Sequence, residues 1–389
     1  MAFRSKQIRL GVFGLAVLLS LPVLPAPFMG LYLWASPFIL FNSVLAGRSL
    51  VILQLIALPF LVISIFRKRW ICRYVCPTGV VCDFSSNLRK GRGSKWHLQL
   101  NRSLALAAII LALFGVPLLM VADPFNLFFM AFEGTRTGLG PAALIKLSGL
   151  LFLVVFSLIF PDAWCASVCP LGGLQLQLSD AKDLFSGKKS LKRIPAAPGK
   201  GRRFFLSVLA GTAGGILLSR FWPTREREVI RPPFSLAEDQ LDVVCIRCGS
   251  CSSACPTGII HPSLDFSHPA GLCTPEVHFV DSYCLEDCND CGEVCPSGAI
   301  RKFKPAEKPS FVMGMADIRI RECYLQVGKE CSLCRQYCAY EAVEIRSAPA
   351  SSSRYPVILE ERCVGCGACQ VVCPPRVIGI KARPPEVSV

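Results

Sequence analysis

Long apolar runs separated by basic segments fill the first half of the chain. A bilayer core of about 30 Å requires roughly 20 apolar residues in a helix, so runs that approach this length predict membrane-spanning helices. Four runs approach it, at residues 8–24, 50–66, 103–122 and 143–160. A fifth, at residues 204–222, is shorter and richer in glycine. The pattern predicts a membrane α-helical bundle of four to five transmembrane helices.

Basic residues are concentrated in alternate connections between these runs. Residues 1–203 contain 23 Lys and Arg against 6 Asp and Glu, and the whole chain carries a net charge of +15. The positive-inside rule places the basic connections 67–102 and 161–203 in the cytoplasm, together with the N-terminus. Because the excess charge belongs to the apolar half, it favours a topology signal over a nucleic-acid surface. We expect residues 1–203 to form a multi-pass domain of the bacterial inner membrane.

A short basic motif precedes the fifth run. Arg202 and Arg203 are followed by Phe-Phe-Leu, which resembles a twin-arginine export signal. Residues 204–222 would then be a signal or anchor helix, with residues 223–389 in the periplasm. An ordinary stop helix behind positive-inside charge would give the same topology. If residues 204–222 instead pack on the surface, residues 223–389 stay in the cytoplasm.

Cysteine dominates the second half of the chain. The chain has 22 cysteines, and sixteen of them form four runs after residue 223. The runs are Cys245, Cys248, Cys251 and Cys255; Cys284, Cys288, Cys291 and Cys295; Cys323, Cys331, Cys334 and Cys338; and Cys363, Cys366, Cys369 and Cys373. In bacterial ferredoxin runs three close thiolates hold one cubane and the fourth reaches a neighbouring cluster. A zinc site would need separated Cys-x-x-Cys knuckles. Residues 223–389 are therefore predicted to form an α+β bacterial-ferredoxin-like polyferredoxin domain with four 4Fe–4S clusters.

Four further cysteines repeat a Cys-x3-Cys-Pro motif behind the second and fourth apolar runs. They are Cys72, Cys76, Cys165 and Cys169. We hypothesise that these thiols jointly hold a fifth metal centre or form a redox-active dithiol site. The alternative is that they are structural thiols at helix ends. Cys82, close behind the first pair, is expected to take no part. The predicted helices contain no histidine, which excludes a bis-histidine haem.

The two sets of motifs together resemble a known pair of proteins. Residues 1–200 resemble the NapH-type membrane ferredoxin of periplasmic nitrate reductase systems, and residues 200–389 resemble the NapG/MauM-type exported ferredoxin with four cluster runs. The resemblance implies a fusion that oxidises quinol of the membrane quinone pool. It would pass electrons through the clusters to a periplasmic c-type cytochrome or reductase. It also implies shared ligation between the first and fourth runs, and between the second and third.

Ionisable residues near the helix ends are the candidates for proton release from a quinol. They are Asp123 and Glu133 on the outer side and Asp162 and His97 on the inner side. Helix caps and solvated loop charges are the alternatives. The expected role is an electron-transfer subunit of a quinol dehydrogenase or respiratory oxidoreductase, without a catalytic residue of its own. Two other hypotheses stay open: a copper reductase or maturation factor, and an assembly subunit with structural clusters.

Overall fold

The computed structural model describes residues 2–21, 31–47, 52–88, 100–113, 118–136, 141–161, 163–185, 229–265, 267–268, 271–347 and 354–382. The described residues divide into two compact units: unit 1 contains those up to residue 185, and unit 2 contains those from residue 229 onward. The predicted domain limits at residues 203 and 222 lie outside the described residues, as do Arg202, Arg203, His97 and Asp162. The predictions for those residues stay predictions.

Unit 1 is helical throughout its described part. Its α-helices are α1 (Ala2–Ser20), α2 (Pro37–Gly47), α3 (Leu58–Phe66), α4 (Trp70–Tyr74), α5 (Pro77–Leu88), α6 (Asn101–Leu113), α7 (Pro124–Arg136), α8 (Pro141–Ile159) and α9 (Pro170–Phe185). Short 3₁₀ turns Leu33–Ala35, Ile52–Ala57 and Leu118–Ala122 and the π-helical turn Trp164–Val168 connect them. The most extensive packing joins α7 with α8 and α6 with α9.

The predicted membrane bundle is corrected by the structure. Nowhere in the described ranges does a helix combine the length and the apolar character needed to cross a membrane. The prediction of a transmembrane fold and the prediction of a multi-pass inner-membrane location are therefore wrong. Two of the apolar runs are interrupted: run 50–66 divides into the turn Ile52–Ala57 and the nine-residue helix α3, and run 103–122 divides into α6 and the turn Leu118–Ala122.

Aromatic side chains build the core of unit 1 around the start of α7. Phe125 and Phe128 are fully buried on α7, and the Tyr32 ring stacks on Phe125 with centroids 4.8 Å apart. The outward faces of the helices carry exposed apolar side chains, among them Phe66 and Leu151. The apolar runs therefore supply both buried and exposed positions, and their hydrophobicity alone does not mark the core.

Unit 2 consists of very short helices and antiparallel strand pairs. The helices are α10 (Glu238–Val244), α11 (Ser250–Ala254), α12 (Asp290–Glu293), α13 (Leu333–Gln336) and α14 (Ala368–Val371). The strands are β1 (Ile260–Pro262), β2 (Pro275–Val277), β3 (Gly314–Ile318), β4 (Val343–Ser347), β5 (Arg354–Ile358) and β6 (Ile378–Ala382). β1 pairs with β2, β3 with β6 and β4 with β5, all antiparallel. Cysteines contribute to both main clusters of buried side chains, so the core of unit 2 is built largely around thiols.

Candidate iron–sulfur centres

Each cysteine run of unit 2 has the same local structure. The third cysteine of a run is the second residue of a short helix, as Cys251 is in α11 and Cys291 is in α12. The fourth cysteine follows the end of that helix, as Cys255 and Cys295 do. The helix therefore carries the fourth thiol away from the loop that holds the first three. The third and fourth runs repeat the arrangement on α13 and α14.

The first two runs exchange their fourth cysteines. We call Cys245, Cys248, Cys251 and Cys295 group A, and Cys255, Cys284, Cys288 and Cys291 group B. In group A, burial raises the pKa of Cys245 to about 11 and that of Cys248 to about 12, and the nearby Cys295 adds to both shifts. The thiols of group B line one cavity.

The last two runs are paired in the same way. We call Cys323, Cys331, Cys334 and Cys373 group C, and Cys338, Cys363, Cys366 and Cys369 group D. The pKa of Cys334 is raised to about 11, mainly by burial and in part by its three partners in group C. The thiols of group D also line one cavity.

The observed pairing corrects the shared ligation that the family resemblance implied. The first run pairs with the second and the third with the fourth, instead of the first with the fourth and the second with the third. The physical reason is helix packing, because α11 packs against α12 and α13 packs against α14. Each packed pair brings two loops together, and each loop receives the fourth thiol of the other run.

Groups B and D are neighbours. The backbone N–H of Cys284 in group B donates a hydrogen bond to the carbonyl oxygen of Cys366 in group D, over 2.9 Å. The ring of Tyr340 lies at the same junction, because Cys366 and Cys284 both raise the pKa of its phenol after burial. The two paired halves of unit 2 thus meet at groups B and D.

The donor sets fit iron–sulfur clusters. Every group offers four thiols, and burial raises the pKa of thiols in each group, so burying them as thiolates without a metal is unfavourable. A cationic iron core removes that penalty, because thiolate is its preferred ligand. Gly367, in the loop of group D, has a φ of 85° and lies against the Phe279 ring. A Cβ at this position would stand only 2.3 Å from the ring. Such close approach requires glycine.

Unit 1 brings the two Cys-x3-Cys-Pro motifs together. Cys72 lies in α4 and Cys165 in the π-helical turn, and each motif ends where a proline begins the next helix. A Cβ at Gly172 would stand 3.3 Å from the carbonyl oxygen of Cys165 and 3.8 Å from the Cys72 Sγ. The Gln175 amide also donates a hydrogen bond to that sulfur over 3.1 Å. We call Cys72, Cys76, Cys165 and Cys169 the unit 1 thiol group.

A fifth thiol joins this group, which sequence reasoning missed. Cys82, in α5, is buried and hydrogen-bonds to Cys165, and this contact is the largest cause of the raised Cys165 pKa. The signal in the sequence was weak, since Cys82 lies outside the repeated motif. Its place beside the group depends on how α5 packs.

Asp123 is buried beside the unit 1 thiol group. It precedes α7 and accepts backbone hydrogen bonds from Phe125 and Asn126, so it caps that helix. Ser36 donates to its Oδ1 over 3.2 Å. Burial raises the pKa of Asp123 to about 7, and its charge raises the pKa of Cys76 and Cys169. The structure thus shows a helix cap that also faces the thiols.

The structure does not bring Glu133 to the same place. Glu133 is buried in α7, ten residues after Asp123. A rise of 1.5 Å per residue separates the two carboxyls by about 15 Å along the helix. They do not form one acid pair.

Comparison with known proteins agrees with this geometry. A 4Fe-4S dicluster domain family matches residues 244–299 and 329–377, and a 4Fe-4S binding domain family matches residues 50–95 and 142–192. No solved structure matches the chain. The chain is therefore an iron–sulfur ferredoxin that transfers electrons to redox partners.

Curated relatives identify the family. The methylamine utilization ferredoxin-type protein MauM of Methylobacillus flagellatus is 30% identical over 48% of this chain and 81% of its own length. The ferredoxin-type protein NapG of Haemophilus influenzae is 30% identical over 52% of this chain and 77% of its length. NapG of Escherichia coli is 31% identical over 49% of this chain and 88% of its length. The chain belongs to the MauM and NapG family of ferredoxin-type proteins.

Proposed function

We propose that unit 2 is a relay of four 4Fe–4S clusters, held in the order A, B, D, C. The observation that carries the order is the hydrogen bond from Cys284 to Cys366, which joins groups B and D. Groups A and B are adjacent because the third and fourth cysteines of a run are only four residues apart yet belong to different groups. The same spacing makes C and D adjacent. Electrons would then enter and leave at groups A and C.

The residues of the chain have a defined part in this relay. A 4Fe–4S cluster supplies reversible one-electron chemistry when bound. The sixteen cysteines would anchor four such clusters, and the surrounding apolar side chains, such as Ile259 and Val343, exclude water from the thiols. Nothing else among the described residues of unit 2 is needed for electron transfer, since no bond is made or broken.

We also propose that the unit 1 thiol group holds a fifth 4Fe–4S cluster. The 4Fe-4S binding domain family covers both motifs, at residues 50–95 and 142–192, and the motifs meet at Gly172. Burial raises the pKa of Cys72, Cys76 and Cys169, which is the same electrostatic situation as in unit 2. The NapH-type character of this part of the chain stays a prediction.

For the electron donor we propose a quinol, and for the acceptor a c-type cytochrome or reductase. Oxidation of a quinol releases two electrons and two protons. A buried carboxyl with a pKa of about 7 can take up one proton near neutral pH, and Asp123 is such a group.

The cluster count is tested by iron and sulfide analysis of anaerobically reconstituted protein. Five cubanes require about 20 irons per chain, at four per cluster. We expect Cys72→Ser to lower the count by about four, while Cys273→Ser, which changes a buried cysteine outside all groups, leaves it unchanged. A wild-type count of about 16 would restrict the clusters to unit 2.

Copper binding is the second candidate for unit 1, because soft thiolates also select Cu(I) and Cys82 adds a fifth thiol to the group. A chain with four clusters that also binds one copper ion tightly would support a metal reductase. Loss of that copper in Cys82→Ser would assign the site.

The donor is tested by anaerobic mixing with a water-soluble quinol, with the clusters followed by EPR. Reduction within a turnover time supports the quinol. If only dithionite reduces the clusters, electrons enter from another donor. Clusters that dithionite also leaves oxidised would contradict the relay itself and favour a structural role.

A further inference from the structure

A buried lysine contacts group B, and it stands out because it is almost completely enclosed. Lys308 lies in the 3₁₀ helix Pro305–Ser310 and is 1% exposed. Lysine is almost never fully buried unless its charge is paired, because removing an ammonium group from water is costly. Among the ion pairs of the described residues, no carboxylate partners Lys308.

Backbone carbonyls around group B accept hydrogen bonds from the Lys308 ammonium. Its Nζ donates to the carbonyl oxygens of Leu285 and of Cys288, the latter over 2.9 Å. The thiol of Cys284 lines the same cavity as this ammonium. An ammonium group has three donors, and two of them are thus satisfied by the backbone. Lys308 itself lines the cavity of group B.

Hydrogen bonds at both ends of the 3₁₀ helix fix the backbone of Lys308. The backbone N–H of Lys304 donates to Glu307 Oε2 over 2.9 Å at the start of the helix, and Phe311 N–H donates to the Lys308 carbonyl over 3.1 Å at its end. Both contacts fix the turn while the side chain points inward. The position of the charge is therefore built into the fold.

The thiols of group B are the anionic partner that this burial requires. Lys308 lines the same cavity as Cys284, Cys288 and Cys291, and its Nζ contacts the backbone carbonyl of Cys288. Among the described residues that line the cavity of group D, which meets group B at Cys284, none is a lysine or an arginine. The two neighbouring groups thus differ by one buried positive charge.

We propose that Lys308 is a positioning residue that raises the reduction potential of the cluster held by group B above that of the cluster held by group D. This inference depends on the proposed relay, and it specifies which of the two neighbouring clusters holds an electron more strongly. A four-thiolate cluster gains one negative charge when it accepts one electron. A fixed ammonium beside the ligands stabilises the reduced form more than the oxidised form. The electron comes from an adjacent carrier or from dithionite, and no proton is transferred.

The test is a redox titration of the reconstituted full chain followed by EPR. The signal of group B is first assigned as the one that Cys288→Ser alters. The Lys308→Met variant is compared with the wild type at the potential where the wild-type group B cluster is half reduced. There we expect the ratio of reduced to oxidised cluster to fall about tenfold in the variant. For one electron this corresponds to a reduction potential about 59 mV lower. The other signals stay in place. Lys308→Arg keeps the charge and should stay within twofold of the wild type.

Lys302→Met is the matched control, because Lys302 is an exposed lysine of the same segment. It should leave every signal in place. An unchanged group B potential in Lys308→Met overturns the proposal. Should the Met variant lose the cluster, Lys308→Gln is titrated. The proposal is also overturned if Lys308→Gln has the wild-type potential, or if both Lys308→Met and Lys308→Gln lose the cluster. Either result shows that the lysine serves cluster assembly instead. A wild-type protein without 4Fe–4S signals would instead contradict the proposed function.

Discussion

Asp123 shows how burial changes the chemistry of one side chain. The carboxyl is fully enclosed, and only Ser36 and the first turn of α7 supply hydrogen bonds among the described residues. Its pKa of about 7 against an ordinary 3.8 means that folding favours the protonated form. Between these two pH values the unfolded chain has lost this proton and the folded chain keeps it. The contribution of Asp123 to stability therefore falls as the pH rises from about 4 to about 7.

We expect Asp123→Asn to remove this pH dependence. At pH 8 the variant should gain up to about 4 kcal/mol relative to the wild type, since the shift amounts to about three units at 1.36 kcal/mol each. Below pH 4 the difference should vanish. Urea unfolding of unit 1 at pH 4, 6 and 8 measures it, and Asp180→Asn, at an exposed carboxylate, is the control. A constant difference at all three pH values would contradict the assignment.

The same variant tests the proton role. Asn cannot accept a proton, so quinol-driven reduction of the clusters should slow at least tenfold, while reduction by dithionite stays at the wild-type rate. Stopped-flow absorbance with both reductants gives the two rates. Equal slowing with both would point to a damaged cluster, and no slowing with quinol would remove Asp123 from the donor site.

Gly367 makes a second prediction for a single residue. Its φ of 85° is strained for other residues, and a Cβ there would stand 2.3 Å from the Phe279 ring. We expect Gly367→Ala to lose the group D cluster, seen as about four fewer irons per chain. Gly379→Ala is the control, because a Cβ at that position meets no atom within 4 Å. Full iron content in Gly367→Ala would mean that the loop can shift.

At the scale of elements, short helices decide which cysteines act together. Because α11 packs on α12, Cys255 joins the second run and Cys295 joins the first. The ferredoxin spacing predicted that a fourth cysteine would reach a neighbouring cluster. It did not specify which one, and the choice inferred from the resemblance was wrong.

The pairing gives a prediction for EPR. Cys255→Ser and Cys288→Ser should alter the same cluster signal, whereas Cys295→Ser should alter the signal that Cys248→Ser alters. Single variants examined at matched reduction levels are sufficient. If Cys255→Ser instead shares its signal with Cys248→Ser, each run would hold its own cluster and the observed exchange would be contradicted.

Apolar runs behave differently at this scale. A hydropathy window adds up side chains and does not register where the backbone leaves a helix. Run 50–66 contains Pro59 in the first turn of α3, and the residues before it form the separate 3₁₀ turn Ile52–Ala57. Proline is favoured at a helix start and disfavoured inside one. Pro59 therefore indicated a helix start inside the run. The prediction of one spanning helix relied on the length of the run instead.

At the scale of the molecule, unit 2 has few regular elements and a core containing many thiols. Its strands are three to five residues long. One main buried cluster contains five cysteines, and the other contains Cys291 with four partly buried cysteines packed against it. Such a core has little apolar packing to replace the metal–thiolate bonds. The free energy of metal binding therefore contributes directly to the free energy of folding of unit 2.

We expect removal of iron from the intact chain to unfold unit 2. Anaerobic treatment with an oxidant and a chelator should make residues 229–382 sensitive to protease, and reconstitution should restore protection. Mass spectrometry of the fragments identifies the cleavage sites. Persistent protection of this region after complete loss of iron would show that its apolar contacts suffice.

The sequence by itself determined the chemistry of this protein. Thiolate ligands for 4Fe–4S clusters follow from cysteine spacing within single loops. Such local spacing can be read from the sequence without knowledge of the fold. The tertiary structure decided the pairing of the runs, the junction between Cys284 and Cys366, and the burial of Cys82, Asp123 and Lys308. It also overturned the membrane bundle. These features depend on contacts between residues distant in the chain, and side-chain packing, which no local pattern encodes, establishes them.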